Sequence, residues 1–401
     1  MDAETSRAPG QDNSSTTTTA SPGAIQSCEQ PTETARQPAA AAEKHSPPND
    51  EMYPVYLYMG PAIASLAVFS MAGVLVRVYL SKLFAYAGEP VFVLVWPQMI
   101  GCFIMGMATR LKGVLASHSP ALNLGITTGL CGSITTFSSW QLGIYTELFN
   151  TSMSDHSRFK NFLGGMSVLT VTLGASVAAL RFGQIVGDEL RVCYNAYVTR
   201  TTPTGLPLGR VETAKFPDKS SEKRDGWLGW SKWTSADVIL VVVAVLGTIA
   251  TVLAIALARR TRSVSIALLF GPVGTLLRWR LSSLNTNQGS LRRILPTCLL
   301  GLPLGTFVAN VAGSMALAVI HILQSGVVVH PAAASCQVLA AMVDGFCGCL
   351  TTVSTFAVEV TALKSRRSMA YAGVSIVVAQ AFFVLIAGIY FKTSTVDYPV
   401  C

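Results

Sequence analysis

The sequence contains few charged residues for its length. Only 12% of its 401 residues are charged, whereas about 25% is usual for soluble domains. Many of the charges fall in residues 1–50 and 184–233, which leaves long stretches elsewhere almost uncharged. Hydrophobic residues make up 51% of the chain, and the mean hydropathy is +0.48. Apolar stretches of this length need a bilayer, so the composition excludes a soluble enzyme and predicts a multi-pass membrane protein.

Metal-ligand spacings and nucleotide-binding motifs are also missing. The nine cysteines form no CxxC pair, and the five histidines show no zinc spacing. The net charge of +8 comes from short basic clusters beside apolar segments, a pattern that does not favour nucleic-acid binding. With no P-loop and no catalytic constellation, the sequence predicts a protein that is not an enzyme and has no organic cofactor. We interpret the cysteines in apolar segments as small packing residues: Cys102, Cys131, Cys298, Cys336, Cys347 and Cys349.

Residues 1–50 differ from the rest of the chain. They are rich in Ser, Thr, Pro, Ala and Gln and contain almost no large apolar residue, so we expect a disordered cytosolic tail. The tail lacks the basic start and apolar core of a signal peptide. The first membrane segment is therefore expected to direct insertion.

Nine segments meet the requirement of about 20 apolar residues for a membrane-spanning helix. They are residues 57–80, 90–109, 121–148, 162–186, 236–258, 264–284, 297–324, 334–363 and 369–391. The third and the eighth are too long and too rich in Gly, Ser and Thr for one regular helix, so we expect a break in each. The fifth is uniformly apolar and lies between two sets of four, as a linking helix would.

Basic residues in the loops predict the orientation of these spans. About 16 lie on the side of the N-terminus and about 7 on the other side, which places the N-terminus in the cytosol of a plasma-membrane protein. Residues 187–235 then form a cytosolic loop, in which Pro203, Pro207 and Pro217 argue against a long helix. The short tail 392–401 is extracellular, and the glycosylation sequon at Asn150 falls in an outside loop.

An internal repeat relates the two sets of four segments. Residues 129–140 and 345–356 are identical at six of twelve positions without gaps. Two further pairs keep the same order, Gly73-x3-Arg77 with Gly274-x3-Arg278 and Gln98-x2-Gly101 with Asn310-x2-Gly313. The chain therefore contains two homologous four-helix units, residues 57–186 and 264–391, joined by the linking helix at 236–258. Five crossings separate the start of one unit from the start of the other, so the units have opposite orientations.

Inverted repeats place a permeation site between the units, near the middle of the bilayer, on discontinuous helices. The Gly- and Thr-rich repeat allows unwinding, and carbonyls freed by two such breaks can coordinate a small cation such as Na⁺. Close helix packing through small residues is the alternative explanation of this motif.

The polar and aromatic residues in the spans also have two interpretations each. Ring edges at 137, 140 and 356 can line an anion path, although core packing is the ordinary role of such rings. The Asn310 amide can donate to an anion or make a structural hydrogen bond between helices. Arg77 and Arg278 can snorkel to the interface, anchor a loop or attract anions, and we favour structural anchoring.

These motifs resemble those of the fluoride channels and fluoride exporters. The resemblance rests on residues 345–356, 307–314 and 274–279, recurs in both halves and covers roughly 57–186 and 264–391. It implies an all-α polytopic protein acting as a single chain, in which two inverted units form two antiparallel pores. It also implies passive, selective export of fluoride and hence fluoride resistance.

The resemblance assigns roles to individual positions, and the halves differ at several of them. It implies one competent pore and one degraded pore. The ion pathway is predicted at Asn310, Phe137, Phe356, Glu359, Tyr371, Ser375, Ser354 and Thr355. The degraded counterparts are Gln98, Trp140, Val353 and Gly143. A structural Na⁺ is predicted on the backbone carbonyls of Gly132, Thr135, Gly348 and Thr351.

Two other functions are compatible with a duplicated membrane protein. A coupled transporter of small organic cations has similar architecture, but it should carry a membrane carboxylate in each half, and only Glu359 qualifies. A membrane scaffold without transport activity would not need two broken helices. We therefore expect fluoride and the lipid bilayer to be the partners of this chain.

Overall fold

The structure is a computed structural model that describes residues 59–89, 91–150, 157–201, 233–286, 302–325 and 333–393. Within these ranges all regular elements are helical. The protein is thus an all-α, multi-pass membrane protein, as the composition predicts. The predicted disordered tail, most of the predicted cytosolic loop and most of the C-terminal tail lie outside the described residues.

The first half contains seven helices and one π-helical turn. They are α1 (Met59–Phe84), α2 (Val95–Arg110), α3 (Lys112–His118), α4 (Pro120–Leu124), the π-helical turn Gly125–Cys131, α5 (Gly132–Ile134), α6 (Phe137–Leu148) and α7 (Arg158–Thr201). The helix α8 (Ser235–Leu257) follows and links the halves.

The second half repeats this order. Its elements are α9 (Arg262–Thr286), α10 (Leu304–Gln324), α11 (Ala333–Ala341), the π-helical turn Met342–Cys347, α12 (Gly348–Leu350), α13 (Ser354–Ala362), α14 (Ser365–Phe383), the π-helical turn Val384–Gly388 and α15 (Ile389–Thr393). In both halves a π-helical turn and a three-residue helix precede a point where the helix is interrupted by extended residues.

Seven helical segments in the described ranges are long and apolar enough to cross a membrane, and an eighth is obtained if the bent pair α2 and α3 is one span. These seven correspond to the predicted spans other than 90–109 and 121–148. Residues 90–109 contain α2, which has only 16 residues and is followed by a 76° bend. Residues 121–148 contain the broken sequence from α4 to α6. Nine crossings therefore remain a prediction.

The fourth span continues further than predicted. The sequence predicts its end at residue 186, but α7 runs for 44 residues to Thr201. The prediction followed the apolar stretch, whose end marks the end of the membrane-spanning segment and not the end of the helix. Glu, Leu and Arg all favour helix, and the first proline after Arg158 is Pro203.

The linking helix α8 packs against α1 and α9, but only 6% of its apolar window is buried. Its first turn is an exception. Thr234 and Asp237 form a capping box, and the Ser119 hydroxyl donates to Asp237 Oδ1 at 2.6 Å. This contact holds the start of α8 to the turn between α3 and α4, and the exposed apolar surface of the rest of the helix suits contact with lipid.

Glycines of the repeated motifs let helices approach the broken segments closely. A Cβ on Gly73 would overlap Ser133 and Leu130, and a Cβ on Gly274 would overlap the backbone of Phe346 and Leu350. Two of these contacts are equivalent in the two halves, since Leu130 corresponds to Phe346 and Ile134, which a Cβ on Gly73 would also meet, corresponds to Leu350. The small-residue packing left open by the sequence is therefore present, and it coexists with the break.

Candidate ion pathway at the junction of the two halves

The two broken helices leave helical geometry at threonine residues. Thr135 has φ −91° and ψ 146°, and Thr351 has φ −96° and ψ 153°, so both are extended. Each threonine hydroxyl donates back to a carbonyl of the preceding turn, Thr135 to Cys131 and Thr351 to Cys347, both at 3.0 Å. The predicted breaks are confirmed. The Cys131 and Cys347 carbonyls also keep their helical hydrogen bonds from the Thr135 and Thr351 N–H groups, so the hydroxyls add a second bond to each.

The same two hydroxyls join the halves. Thr351 Oγ1 accepts hydrogen bonds from the backbone N–H groups of Phe137 and Ser138, each at 3.1 Å. In the symmetric arrangement, Thr135 Oγ1 accepts from the N–H groups of Val353 at 3.3 Å and Ser354 at 3.1 Å. Each threonine thus caps the first turn of a helix in the other half. The two sets of contacts are equivalent under the repeat, as expected if a pseudo-twofold axis passes through the junction.

Asn310 and Gln98 bind the backbone of the two breaks in the same way. Asn310 Nδ2 donates to the Thr352 carbonyl at 3.2 Å, and Asn310 Oδ1 accepts from the Thr352 N–H at 2.9 Å. Gln98 makes the equivalent bonds to Thr136, at 2.6 and 3.1 Å. Both amides are fully buried. Asn310 therefore makes the structural hydrogen bonds between helices that were one of its two predicted roles. Gln98 makes the same pair of bonds despite its longer side chain.

Aromatic rings from both halves meet beside the junction. The Phe137 and Phe356 centroids are 5.4 Å apart with the rings inclined at 66°, and Phe356 lies 5.3 Å from Tyr371. Phe137 also meets Trp140 edge-on at 5.5 Å, and all four rings are buried. Val353 belongs to the same buried cluster. The predicted combination of Phe137 with Phe356 is therefore brought together in one aromatic cluster.

A polar network continues from Phe356 along the second half. Tyr371 OH donates to Glu359 Oε2 at 2.7 Å, and Thr306 Oγ1 donates to Glu359 Oε1 at 2.6 Å. Asn285 Nδ2 lies 3.4 Å from the same Oε1. Sequence reasoning missed Thr306 and Asn285. Thr306 precedes Asn310 by one helical turn, so its position on the same face of α10 was a usable signal, whereas Asn285 had none.

The other predicted pathway residues lie along these helices. Ser375 Oγ donates to the Tyr371 carbonyl one turn earlier at 2.7 Å, and Ser354 Oγ lies 3.1 Å from Thr135 Oγ1. Thr355 is half-buried in the first turn of α13.

The first half has no carboxylate at the position of Glu359. Its counterpart is Gly143, and a Cβ there would overlap the ring of Phe92. The Trp140 Nε1–H donates to the Val168 carbonyl at 3.1 Å, so this N–H group already has an acceptor within the protein. A cavity of about 410 Å³ adjoins Gly143 and is also lined by Arg77, Lys82 and Asp344. The two halves therefore differ at the equivalents of Glu359 and Phe356.

Arg77 and Arg278 do not reach a membrane interface, because both are buried in the junction. Arg77 donates to the carbonyls of Ser133 and Asp344, and to that of Gly348 at 3.0 Å. Arg278 donates to the Thr128 carbonyl at 2.6 Å. Each arginine thus extends from the first helix of one half to the broken helix of the other. Snorkelling is excluded for both arginines. Each of them anchors the broken helix of the other half through its backbone carbonyls.

The fold and the junction define a duplicated membrane protein whose inverted halves share one central site. Comparison with known proteins gives its family. The model of the family described as CrcB-like protein, Camphor Resistance (CrcB) matches residues 64–184 and 265–389. The matches cover more than half of the chain, and the chain belongs to this family.

Curated relatives match most of the chain. Fluoride export protein 1 of Candida albicans is 30% identical over 353 residues, covering 82% of this chain and 80% of the relative. Fluoride export protein 1 of Saccharomyces cerevisiae is 27% identical over 370 residues, covering 84% and 95%. Fluoride-specific ion channel FluC 1 of Staphylococcus aureus is 35% identical over 114 residues, covering 28% and 67%. No solved structure matches the chain.

Proposed function

We propose that the protein is a passive channel that exports fluoride from the cytoplasm and confers fluoride resistance. The observation that carries the proposal is the continuous set of ring edges and donors from Phe137 and Phe356 to Tyr371. It lies at the junction of the two halves of a chain whose relatives are named as fluoride exporters and fluoride-specific channels. Ring edges and hydroxyls can replace the water of a small anion. A negative membrane potential drives an anion outward by about 2.3 kcal/mol per 100 mV, so export needs no further energy source.

We further propose that only one of the two possible pathways conducts. Its residues are Phe137 and Asn310 with Phe356, Glu359, Tyr371, Ser375, Ser354 and Thr355. On the equivalent side of the first half, the Phe92 ring covers the position of the carboxylate, and the Trp140 N–H is bonded to a carbonyl. The transporter of organic cations is not supported, because the second carboxylate that it requires has no counterpart at Gly143.

A fluoride electrode outside liposomes that contain the purified protein tests the channel directly. Under a K⁺ diffusion potential, the wild-type protein should release fluoride and should release little chloride. Tyr371→Phe removes the donor to Glu359 and should slow the release. Ser176→Ala is the matched control, because Ser176 is a buried hydroxyl on the last long helix of the first half. Absence of fluoride release by wild type would overturn the proposal.

We also propose that Na⁺ is held by carbonyls at the junction. Thr135 and Thr351 fit this role because each is extended at the end of a helix, where its carbonyl has no helical partner. Gly132 and Gly348 fit less well, since guanidinium groups cover both glycines and Arg77 already donates to the Gly348 carbonyl. A bound Na⁺ would neutralise converging carbonyl dipoles. The melting temperature should fall when Na⁺ is replaced by N-methylglucamine, and an unchanged value would contradict the site.

The proposed topology places the N-terminus in the cytosol and the C-terminus outside the plasma membrane. Its support is the excess of basic residues in the loops on the N-terminal side. The two halves take the place of the two subunits of a dimer, so a single chain is expected to be the functional unit. Crosslinking of the purified protein followed by denaturing electrophoresis should give one band at the mass of the monomer.

A further inference from the structure

A buried glutamine lies one helical turn beyond the aromatic cluster of the proposed pathway. Gln141 follows Phe137 by four residues, so the two side chains lie on the same face of α6, about 6 Å apart along its axis. Both residues are fully buried. A primary amide has two donor hydrogens and an acceptor oxygen, and a buried one needs partners for them.

The partner of Gln141 is Gln380 on α14. Gln380 Nε2 donates to the backbone carbonyl of Gln141 at 2.8 Å and to Gln141 Oε1 at 3.0 Å. Because a backbone carbonyl can only accept, the Gln380 atom that faces it must be the nitrogen. The Gln141 atom that this nitrogen also reaches must then be the oxygen. These contacts fix the orientation of both amides.

The pair leaves one buried donor without a partner. Gln141 Nε2 has no hydrogen-bond partner among the described residues, and neither has Gln380 Oε1. Two amides that served only to join α6 and α14 could donate to each other, whereas here Gln380 Nε2 donates in both bonds. A buried donor without an acceptor is costly, so an ion or a water molecule at Gln141 Nε2 would stabilise the protein.

The contacts of α6 with α14 place this donor further along the proposed pathway. The Tyr145 ring, one turn after Gln141, stacks on Phe383 with the centroids 5.7 Å apart. Phe383 lies three residues after Gln380, so α6 and α14 run side by side in the same direction. Gln380 also follows Tyr371 by nine residues, or about 14 Å. The amide pair is therefore separated from the carboxylate network by the aromatic cluster.

The second half has no equivalent donor. The repeat aligns residues 129–140 with 345–356, so the next pair of equivalent positions is Gln141 and Ala357. Ala357 is buried in the same apolar cluster as Val353. The amide thus follows Phe137, which belongs to the proposed conducting pathway, and the alanine follows Val353, which is a degraded counterpart.

We propose that Gln141 contacts the permeating ion, and that its Nε2–H donates to fluoride on the side of Phe137 away from Glu359. Gln380 is a positioning residue, because its Nε2 holds the oxygen of Gln141 and so directs the nitrogen away from α14. Gln380 Oε1 can accept from a water molecule that stays with the ion. Each donor along the path replaces part of the water around a small anion. This role rests on the proposed function.

Fluoride release from liposomes under a K⁺ diffusion potential tests the role of Gln141, with rates compared per amount of folded protein. Gln141→Met removes the donor and keeps the length of the side chain, and release should fall by about fivefold or more. Gln141→Glu keeps the acceptor for Gln380 Nε2 but replaces the donor by an oxygen, and release should fall at least as far. Gln184→Met is the matched control and should leave release unchanged, because the Gln184 amide bonds to Arg181 on its own helix.

The melting temperature separates contact with the ion from a structural role. In Gln141→Met it should stay close to the wild-type value, because the lost donor has no partner and Gln380 keeps its bond to the backbone carbonyl. Release at the wild-type rate in either Gln141 variant would overturn the proposal, and so would a fall of several degrees in the melting temperature of Gln141→Met. Absence of release by wild type would instead overturn the channel proposal, so the two failures are distinguishable.

Discussion

At the scale of single residues, Thr351 shows what a sequence can and cannot predict. The Gly- and Thr-rich motif predicts that the helix breaks here and that threonine hydroxyls replace lost backbone partners. The motif does not predict that Thr351 Oγ1 accepts from Phe137 and Ser138, which lie more than 200 positions away in the sequence. The partners of Glu359 were missed for the same reason, because Asn285 and Thr306 reach it only through the packing of α9 and α10.

Thr351→Val should destabilise the protein. The substitution keeps the size of the side chain but leaves two buried N–H groups without their acceptor, and each such loss costs about 1–3 kcal/mol. We expect the melting temperature in detergent to fall by several degrees. Thr351→Ser should recover most of the loss. Thr361→Val is the control, because the Thr361 hydroxyl bonds only within its own helix; a fall as large as that of Thr351→Val would contradict the cross-capping.

At the scale of elements, local patterns predicted most helices but not all of their ends. The apolar stretches locate α1 and α8 well, because burial in lipid requires a minimum length of helix. The apolar pattern did not predict the end of α7, because the helix continues beyond the membrane-spanning stretch. In this extension Asp188 forms an exposed ion pair with Arg110 at the end of α2. The end of α2 at Arg110 agrees with the predicted end of the span at residue 109, but the 76° bend into α3 was not predicted.

Close packing of α2 against α7 depends on small residues and gives a second prediction. A Cβ on Gly183 would overlap the Phe103 carbonyl, whereas Gly174 on the same helix has open space around it. Gly183→Leu should therefore separate the helices and lower the melting temperature or the yield of folded protein. Gly174→Leu should leave both near the wild-type values. Equal effects of the two substitutions would show that backbone contact at Gly183 is unimportant.

At the scale of the whole molecule, the duplication could be predicted from sequence because three motifs recur in order. The reciprocal contacts of Thr135 and Thr351 explain why the motifs persist in both halves, since each half completes the helix ends of the other. The differences between the halves also fall at equivalent positions. Phe92 and Gly143 occupy the region that Glu359 and its donors occupy in the second half. The two halves thus share a symmetric scaffold but differ at these positions, as the proposal of a single conducting pathway requires.

The topology of the whole chain can be tested at Asn150, which follows the last residue of α6 by two positions and has a positive φ of 51°. If the sequon is extracellular, protein from a eukaryotic host should carry a glycan at Asn150 that a glycosidase removes. Asn150→Gln should abolish the mass shift. The sequon at Asn13, on the predicted cytosolic side, is the internal control, and a glycan there would reverse the proposed orientation.

The central claim is that one pathway, built from both halves, conducts fluoride. The most direct measurement compares fluoride release from liposomes by Glu359→Ala and Gly143→Ala, which alter equivalent positions in the two halves. Glu359→Ala leaves Tyr371 OH and Thr306 Oγ1 without their acceptor, and release should fall by about tenfold or more, which corresponds to about 1.4 kcal/mol. Gly143→Ala requires the Phe92 ring to move away from the new Cβ, so its release is compared per amount of folded protein and should then stay close to wild type. Equal losses in both variants, or a loss in Gly143→Ala alone, would contradict the account.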